Sequence, residues 1–278
     1  WLLPNVARGA DGITRVELHG DFPRDCVAAT QISVVDRTDY ADGLFRALWT
    51  EIGGRFSGRV REGNTQFGAG ATVLATHASR ALPEMIHDVL KRSDNPNTRL
   101  LFFALSAPRG GAGTALDAAG QPANATASAE RVRAWLREQE IDDTGLVLDN
   151  GSGLSRIEKI TPMQLAKTLR VAHTKPWAAE FQAAFPVVGV DGGMRNRLAK
   201  TPLAERARLK TGTLRDVSAL AGYVPGADGH PLIFVAMLNH ASATSKAARP
   251  VLDALLEYAA TLGETTAEPW YRRLFGAR

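Results

Sequence analysis

Three apolar runs, 206–211, 216–224 and 231–238, follow one another with only short polar breaks at 212–215 and 225–230. Runs of this length predict strands, and breaks this short leave no room for a crossover helix. The three therefore predict an antiparallel meander. A helix predicted over 244–262 closes the segment, with Pro250 tolerable in its first turns. A meander exposes one apolar face unless helices cover it, so the rest of the chain has to supply them.

The preceding residues do so. "LPEMIHDVLKRSDN" carries Leu82, Met85, Ile86, Val89 and Leu90 at helical spacing, which puts Ser93 at or just past a helix end. "PNTRLLFFALSA" restarts as a helix with Pro96 in its first turn, and "SAERVRAWLREQE" predicts a third helix. "TPMQLAKTLRVA" predicts a fourth, with Thr161 as N-cap and Pro162 at the first helical position. "GLVLDNGSGLSR" predicts a strand entering a glycine-rich turn. Nearer the start, "ITRVELHG" and "AATQISVV" predict two short strands, and Asp39 is the expected cap of a helix ending at Gly53-Gly54. The Gly-rich polar stretch 61–70 is a plausible crossing between domains. The expected fold is α+β, an antiparallel sheet covered by helices.

Composition narrows the function classes. The chain has 278 residues, 45% hydrophobic and 22% charged, an ordinary globular balance. Net charge is +4, with Lys and Arg scattered and no basic cluster interleaved with aromatics, so nucleic acid is not an expected partner. The sequence pI of 9.4 fits a protein that meets an acidic polymer, as it fits many others. No window approaches the roughly 20 apolar residues of a membrane span. The chain opens on Trp1, as a processed or truncated product would. Cys26, the one cysteine, fits a small buried hydrophobe or a thiol whose partner lies elsewhere. Asn124-Ala-Thr126 matches a glycosylation sequon that chance explains equally well.

Two short motifs carry the chemistry. Lys210-Thr211-Gly212 stands at the start of a predicted edge strand. A lysine there lowers the energy of a carboxylate or an anionic intermediate, a threonine adds a hydroxyl donor, and glycine admits a ligand backbone. The same residues also suit a lysine snorkelling from a sheet edge beside a turn glycine. In Ser93-Asp94-Asn95, serine can relay a proton to a leaving amine, and asparagine can clamp an amide with donor and acceptor together. Ser, Asp and Asn are also ordinary helix-end residues. What distinguishes the pair is its order, Ser-Asp-Asn followed by Lys-Thr-Gly, which is that of the penicillin-recognising serine acyl-transferases.

With "LDNGSGLSR", "GVDGGMRNRL", "ARLKTGTLRDVSALAGYV" and "ISVVDRTDYADGLFRALWTEIGGRFSG", the chain resembles the class C low-molecular-mass penicillin-binding proteins from about residue 12 to about 260. These are bacterial D-alanyl-D-alanine carboxypeptidase/endopeptidases. The resemblance implies a penicillin-binding, serine β-lactamase-like acyl-transferase domain over 71–278, and the C-terminal part of an inserted β-rich domain over 1–70. It implies Ser93 in proton relay and Asn95 on the substrate amide. Lys210, Thr211 and Gly212 would bind the terminal carboxylate, so that Ser93 and Lys210 are the expected catalytic residues. Thr213 would offer its backbone N–H to the oxyanion hole. Arg156 would meet a diaminopimelate side chain, although a surface arginine after a turn looks the same. Asp191 and Gly192 would form a structural turn. Peptidoglycan stem peptides and β-lactams are the expected partners, no metal or cofactor takes part, and the setting is the periplasm or cell wall.

One element of the family pattern is absent. The nucleophile belongs to a Ser-x-x-Lys motif, and no Ser-x-x-Lys occurs in this sequence; "SRIEK" and "SATSK" have the wrong spacing. The chain is therefore expected to begin inside the insertion, with the nucleophile in missing sequence. That segment, or a homodimer mate, would cover the apolar face otherwise exposed. A non-catalytic wall-peptide binder and an interaction module on the same fold are the alternatives, with a β-lactamase a lesser one because no water-activating glutamate is evident.

Overall fold

The computed structural model describes residues 4–9, 13–21, 24–25, 27, 33–62, 72, 75–107 and 123–262. Cys26 and most of the predicted strand at 28–35 lie outside the described residues. The chain divides into two compact units, residues 1–77 and 78–278.

In the first unit, β1 (Asn5–Arg8) and β2 (Thr14–Glu17) pair antiparallel with Asn5 opposite Glu17. Helix α1 (Arg37–Glu51) starts three residues earlier than Asp39 as cap would place it. Its cap is Asp36, whose side chain accepts from the Thr38 N–H, while Asp39 sits in the first turn and pairs with Arg8. The apolar stripe expected on α1 is present but no α1 side chain is buried. Phe45 stacks on Trp49 at 5.6 Å and meets the edge of Phe56 at 4.9 Å.

The second unit is built on a three-stranded antiparallel sheet in the order β3-β4-β5, with β3 Arg208–Leu214, β4 Val217–Pro225 and β5 Pro231–Asn239. The meander is as expected, but β3 runs through Lys210-Thr211-Gly212 to Leu214, so the motif lies within the strand and the turn falls at 215–216. Lys210 pairs with Ala221 and Thr213 with Ser218.

Alternation of side chains gives the sheet two buried faces. On one, Leu209, Leu220 and Val224 pack on Leu252 and Leu256 of α7 (Ser245–Thr261). Leu209, Leu220 and Leu256 are fully buried, each worth about 1.5–3 kcal/mol of apolar burial. On the other, Tyr223 joins Leu169 of α5 (Pro162–His173) and Phe185, with Ala221, Ile233 and Val235 against them. The Tyr223 hydroxyl donates to Leu169 O at 2.8 Å, and burial pushes it up to about 12.

The helices follow their local chemistry. Helix α2 (Leu82–Arg92) ends at Ser93, which takes the left-handed conformation with φ 53°. Asp94 then caps α3 (Asn95–Ala104) by accepting from the Asn97 N–H. Helix α4 (Ala125–Glu138) is capped by Asn124, which gives the sequon asparagine a structural task. Thr161 and Gln164 form a reciprocal capping box on α5. A short α6 (Ala178–Ala183) was not expected. The strand expected in "GLVLDNGSGLSR" is reduced to a single bridge between Val147 and Lys159. The Glu158 carboxylate accepts the N–H groups of Asp149, Asn150 and Gly151, which diverts that backbone from a ladder into a loop. No described helix is long and apolar enough to cross a membrane.

Gly222 has φ +152°, and a Cβ there would lie 2.1 Å from Arg208 O on the neighbouring strand, whereas a Cβ on Gly212 would meet nothing closer than 3.5 Å. Gly222→Ala is therefore expected to force β3 from β4 and lower stability by clearly more than Gly212→Ala. Urea denaturation of the two variants side by side checks this, and equal midpoints would refute it.

Candidate active site

Three segments converge on β3. The α2–α3 corner supplies Ser93 and Asn95, the loop 149–158 supplies Ser152 and Arg156, and β3 supplies Lys210 to Thr213. The sharpness of the corner is local in origin. Ser93 adopts the left-handed region at the end of α2, and Asp94 immediately starts α3, so one serine stands between two helices.

The corner is held from below. Lys91, in the last turn of α2, donates to Asp191 Oδ2 and to Phe185 O, both at 2.7 Å, and Asp191 Oδ1 accepts from the Val187 N–H at 2.8 Å. Burial raises the Asp191 carboxyl, but the Lys91 ammonium and the Val187 N–H outweigh it and hold the group below the usual carboxylate range. Asp191 thus has the structural role expected of its turn, with a partner that the sequence reading missed. Lysine in a last helical turn is common, and nothing local in the sequence points to Asp191 as its partner.

Above this support, Lys210 Nζ donates to Ser93 Oγ at 2.6 Å and to Thr211 O at 3.0 Å. Desolvation lowers the Lys210 ammonium below the ordinary lysine value of 10.5, which eases proton exchange with the serine hydroxyl. Asn95 Nδ2 donates to Ser152 O at 2.6 Å, which fixes the amide and leaves its oxygen as the acceptor. Arg156, exposed, donates through Nη1 to Arg215 O at 3.0 Å, so it is pinned to the turn after β3. It lines a pocket of about 560 Å³ together with Gly212 and Thr213.

Alternation along β3 sets Thr211 and Thr213 on the opposite side from Lys210. Thr211, Gly212 and Thr213 line a smaller cavity of about 180 Å³ with Gly193 and Arg197. Ser93 lines a cleft of about 830 Å³, also bordered by Gly193. A Cβ on Gly193 would fall 2.6 Å from Thr211 Oγ1, so the glycine permits the close approach of this turn to β3. Glycine in "VDGGM" was legible as a turn signal, but its role against Thr211 was not. Among the described residues, no cluster of three or more His, Cys, Asp or Glu is placed to hold a metal ion.

A family model, D-Ala-D-Ala carboxypeptidase 3 (S13) family, matches residues 4–259. The chain belongs to this family. It is 31% identical over 256 residues to a D-alanyl-D-alanine carboxypeptidase of an Actinomadura species, covering 89% of this chain and 46% of that protein. It is 30% identical over 208 residues to the D-alanyl-D-alanine carboxypeptidase DacB of Haemophilus influenzae, covering 74% of this chain and 41% of that protein. The chain thus spans less than half the length of these relatives. The fold is that of the crystal structure of penicillin binding protein 4 (dacB) from Haemophilus influenzae in complex with a β-lactam. The TM-score is 0.70 at 24% identity, over 92% of this chain and 59% of that one. The α+β penicillin-binding fold expected from the sequence is the one observed.

Because native Lys210 holds its proton less tightly than the unfolded chain does, the native state gains stability as pH rises from its lowered value towards 10.5. Stability of the wild type relative to Lys210→Met is therefore expected to increase as pH rises through the lowered native value towards 10.5. Chemical denaturation across that range measures it, and a flat difference would show that burial does not perturb the lysine.

Proposed function

We propose that this chain is the substrate-binding and proton-relay portion of a serine D-alanyl-D-alanine carboxypeptidase/endopeptidase acting on peptidoglycan stem peptides. The observation that carries this reading is the 2.6 Å hydrogen bond from Lys210 Nζ to Ser93 Oγ, which joins two motifs 117 residues apart. A lysine held against a serine hydroxyl between two elements is the arrangement a proton relay in acyl transfer would use.

In the proposed reaction, a serine oxygen attacks the carbonyl of the penultimate D-alanine. The tetrahedral oxygen takes up the negative charge, with the Thr213 N–H as one donor to it. The C–N bond then breaks, and the leaving amine takes a proton passed through Ser93 Oγ, with Lys210 sustaining that hydroxyl's proton exchange. Asn95 Oδ1, its Nδ2 being engaged with Ser152, accepts from the substrate amide. Water releases the acyl group in the second half-reaction. Thr211 and Gly212 receive the terminal carboxylate, and Arg156 faces the side chain of the third peptide residue.

The nucleophile and its lysine would come from sequence outside this chain, since no Ser-x-x-Lys occurs in it. Val251, Leu255 and Tyr258 of α7 are each about half exposed, and that segment, or a second copy of the chain, would cover them. Residues 1–70 belong, in this reading, to the end of an inserted domain, and 71–278 to the acyl-transferase domain. The place of action is the periplasm or the cell wall, where the substrate is, and β-lactams are the inhibitors.

Labelling the full-length gene product with a fluorescent penicillin, followed by a denaturing gel, tests the reading. Persistent covalent label is expected; its absence would leave a non-catalytic peptide binder. Lys210→Ala is expected to slow acylation by about 100-fold or more, the scale of a lost acid–base relay, and far more than Arg156→Ala. Equal slowing by the two variants would overturn the assigned roles.

A further inference from the structure

Arg197 follows the turn at Gly192–Met194 and is only 6% exposed. Its Nε donates to Asp253 Oδ1 at 2.5 Å, yet Nη2 has no hydrogen-bond partner, the one buried side-chain nitrogen or oxygen in that state among the described residues. Buried guanidinium donors are normally all matched, so an orphan one in a wall marks a place where a hydrogen-bond donor has been left unmatched. Arg249, one turn before Asp253 on α7, sets its Nε 3.9 Å from Asp253 Oδ2 and donates through Nη2 to Asn196 O at 3.3 Å, which leaves its Nη1 for a ligand, and its side chain is about half exposed. Two guanidinium groups thus share one carboxylate, which leaves the cluster with one net positive charge.

That charge has an address. Arg197 and Arg249 both line the cavity of about 180 Å³ whose other walls include Thr211, Thr213 and Ser218. Arg249 also lines the cleft that contains Ser93. A ligand lying over Ser93 can therefore reach a chamber with hydroxyl groups, one surplus positive charge and room for a carboxylate and its neighbouring atoms.

We infer that Arg249, backed by Arg197, is a specificity residue that selects a free C-terminal carboxylate, an inference that rests on the acyl-transfer reading above. Arg249 meets the carboxylate directly. Arg197 is a positioning residue, because its Nη2 is sealed in the wall: it adds charge beneath the chamber and holds Asp253, which in turn orients Arg249. Lys210, committed to Ser93 and Thr211 O, is then free of that task and serves the proton relay.

The test uses the full-length protein with a peptide ending in D-Ala-D-Ala and the same peptide as its C-terminal amide. Arg249→Gln is expected to lose about tenfold or more in kcat/KM on the acid beyond any loss on the amide, mainly through KM, as for a lost charged hydrogen bond. Arg249→Lys is expected to restore part of that discrimination. Arg197→Gln should reduce acid preference and Arg197→Lys should recover it, an outcome that mere loss of packing would not give. Equal losses on acid and amide, or no loss with Arg249→Gln, would overturn the inference. Binding of N-acetyl-D-alanine and its amide, followed by the arginine Nε–H resonances, decides the matter even if penicillin fails to label the protein. Shifts of the Arg249 resonance with the acid alone support the site, and no shift with the acid refutes it.

Discussion

Lys91 fastens the last turn of α2 to the loop beneath it through Asp191 and Phe185 O, and the seat of the corner that carries Ser93 and Asn95 depends on that junction. The ammonium is largely enclosed, with 13% of its side chain exposed, so its charge requires both partners. The pair is part-buried, with 31% of the Asp191 side chain exposed, so removing one member costs less than the roughly 3–5 kcal/mol of a fully buried pair. The same Asp191 bends the loop by accepting from the Val187 N–H, and the loop then delivers Gly193 against Thr211. One ion pair thereby sets the height of Ser93 and the approach of the turn that borders the strand carrying Lys210.

The sheet contributes the second half of the geometry. An edge strand with apolar residues in the β3–β4 pairing offers a rigid rail, on which period-two alternation separates Lys210 from the two threonines. In the proposed chemistry this separation matters, since a lysine that also neutralised the substrate carboxylate would be a poorer proton donor and acceptor. Arg197, Asp253 and Arg249 lie on the threonine side, where α7 packs. In the proposed roles, charge for binding and charge for proton transfer would occupy different sides of one strand.

Much of this was legible before any coordinates. The meander followed from three apolar runs too closely spaced for crossovers, and Ser93 at a helix end followed from the stripe ending at Leu90. Thr161 declared its capping role because an N-cap and a first-turn proline are decided within four residues. Other readings failed where a tertiary contact overrode a local preference. Asp36 rather than Asp39 caps α1, with Asp39 paired instead to Arg8. Glu158 drew three backbone N–H groups away from a predicted strand. The Lys-Thr-Gly motif lies inside β3 because pairing with β4 carries the ladder on to Leu214.

The sequence by itself determined most of the elements and the family, and it singled out Ser93 and Lys210 as candidates, since those depend on residue type, periodicity and motif order over short windows. Only the tertiary structure decided that Lys210 reaches Ser93, that Lys91 is spent on Asp191, and that Arg197 keeps a buried donor beside the threonines. Each of these joins residues from about a dozen to more than a hundred positions apart, and their meeting depends on how helices and turns seat on a sheet. Burial decides which of those charges must find a partner, and burial is a property of the packed chain.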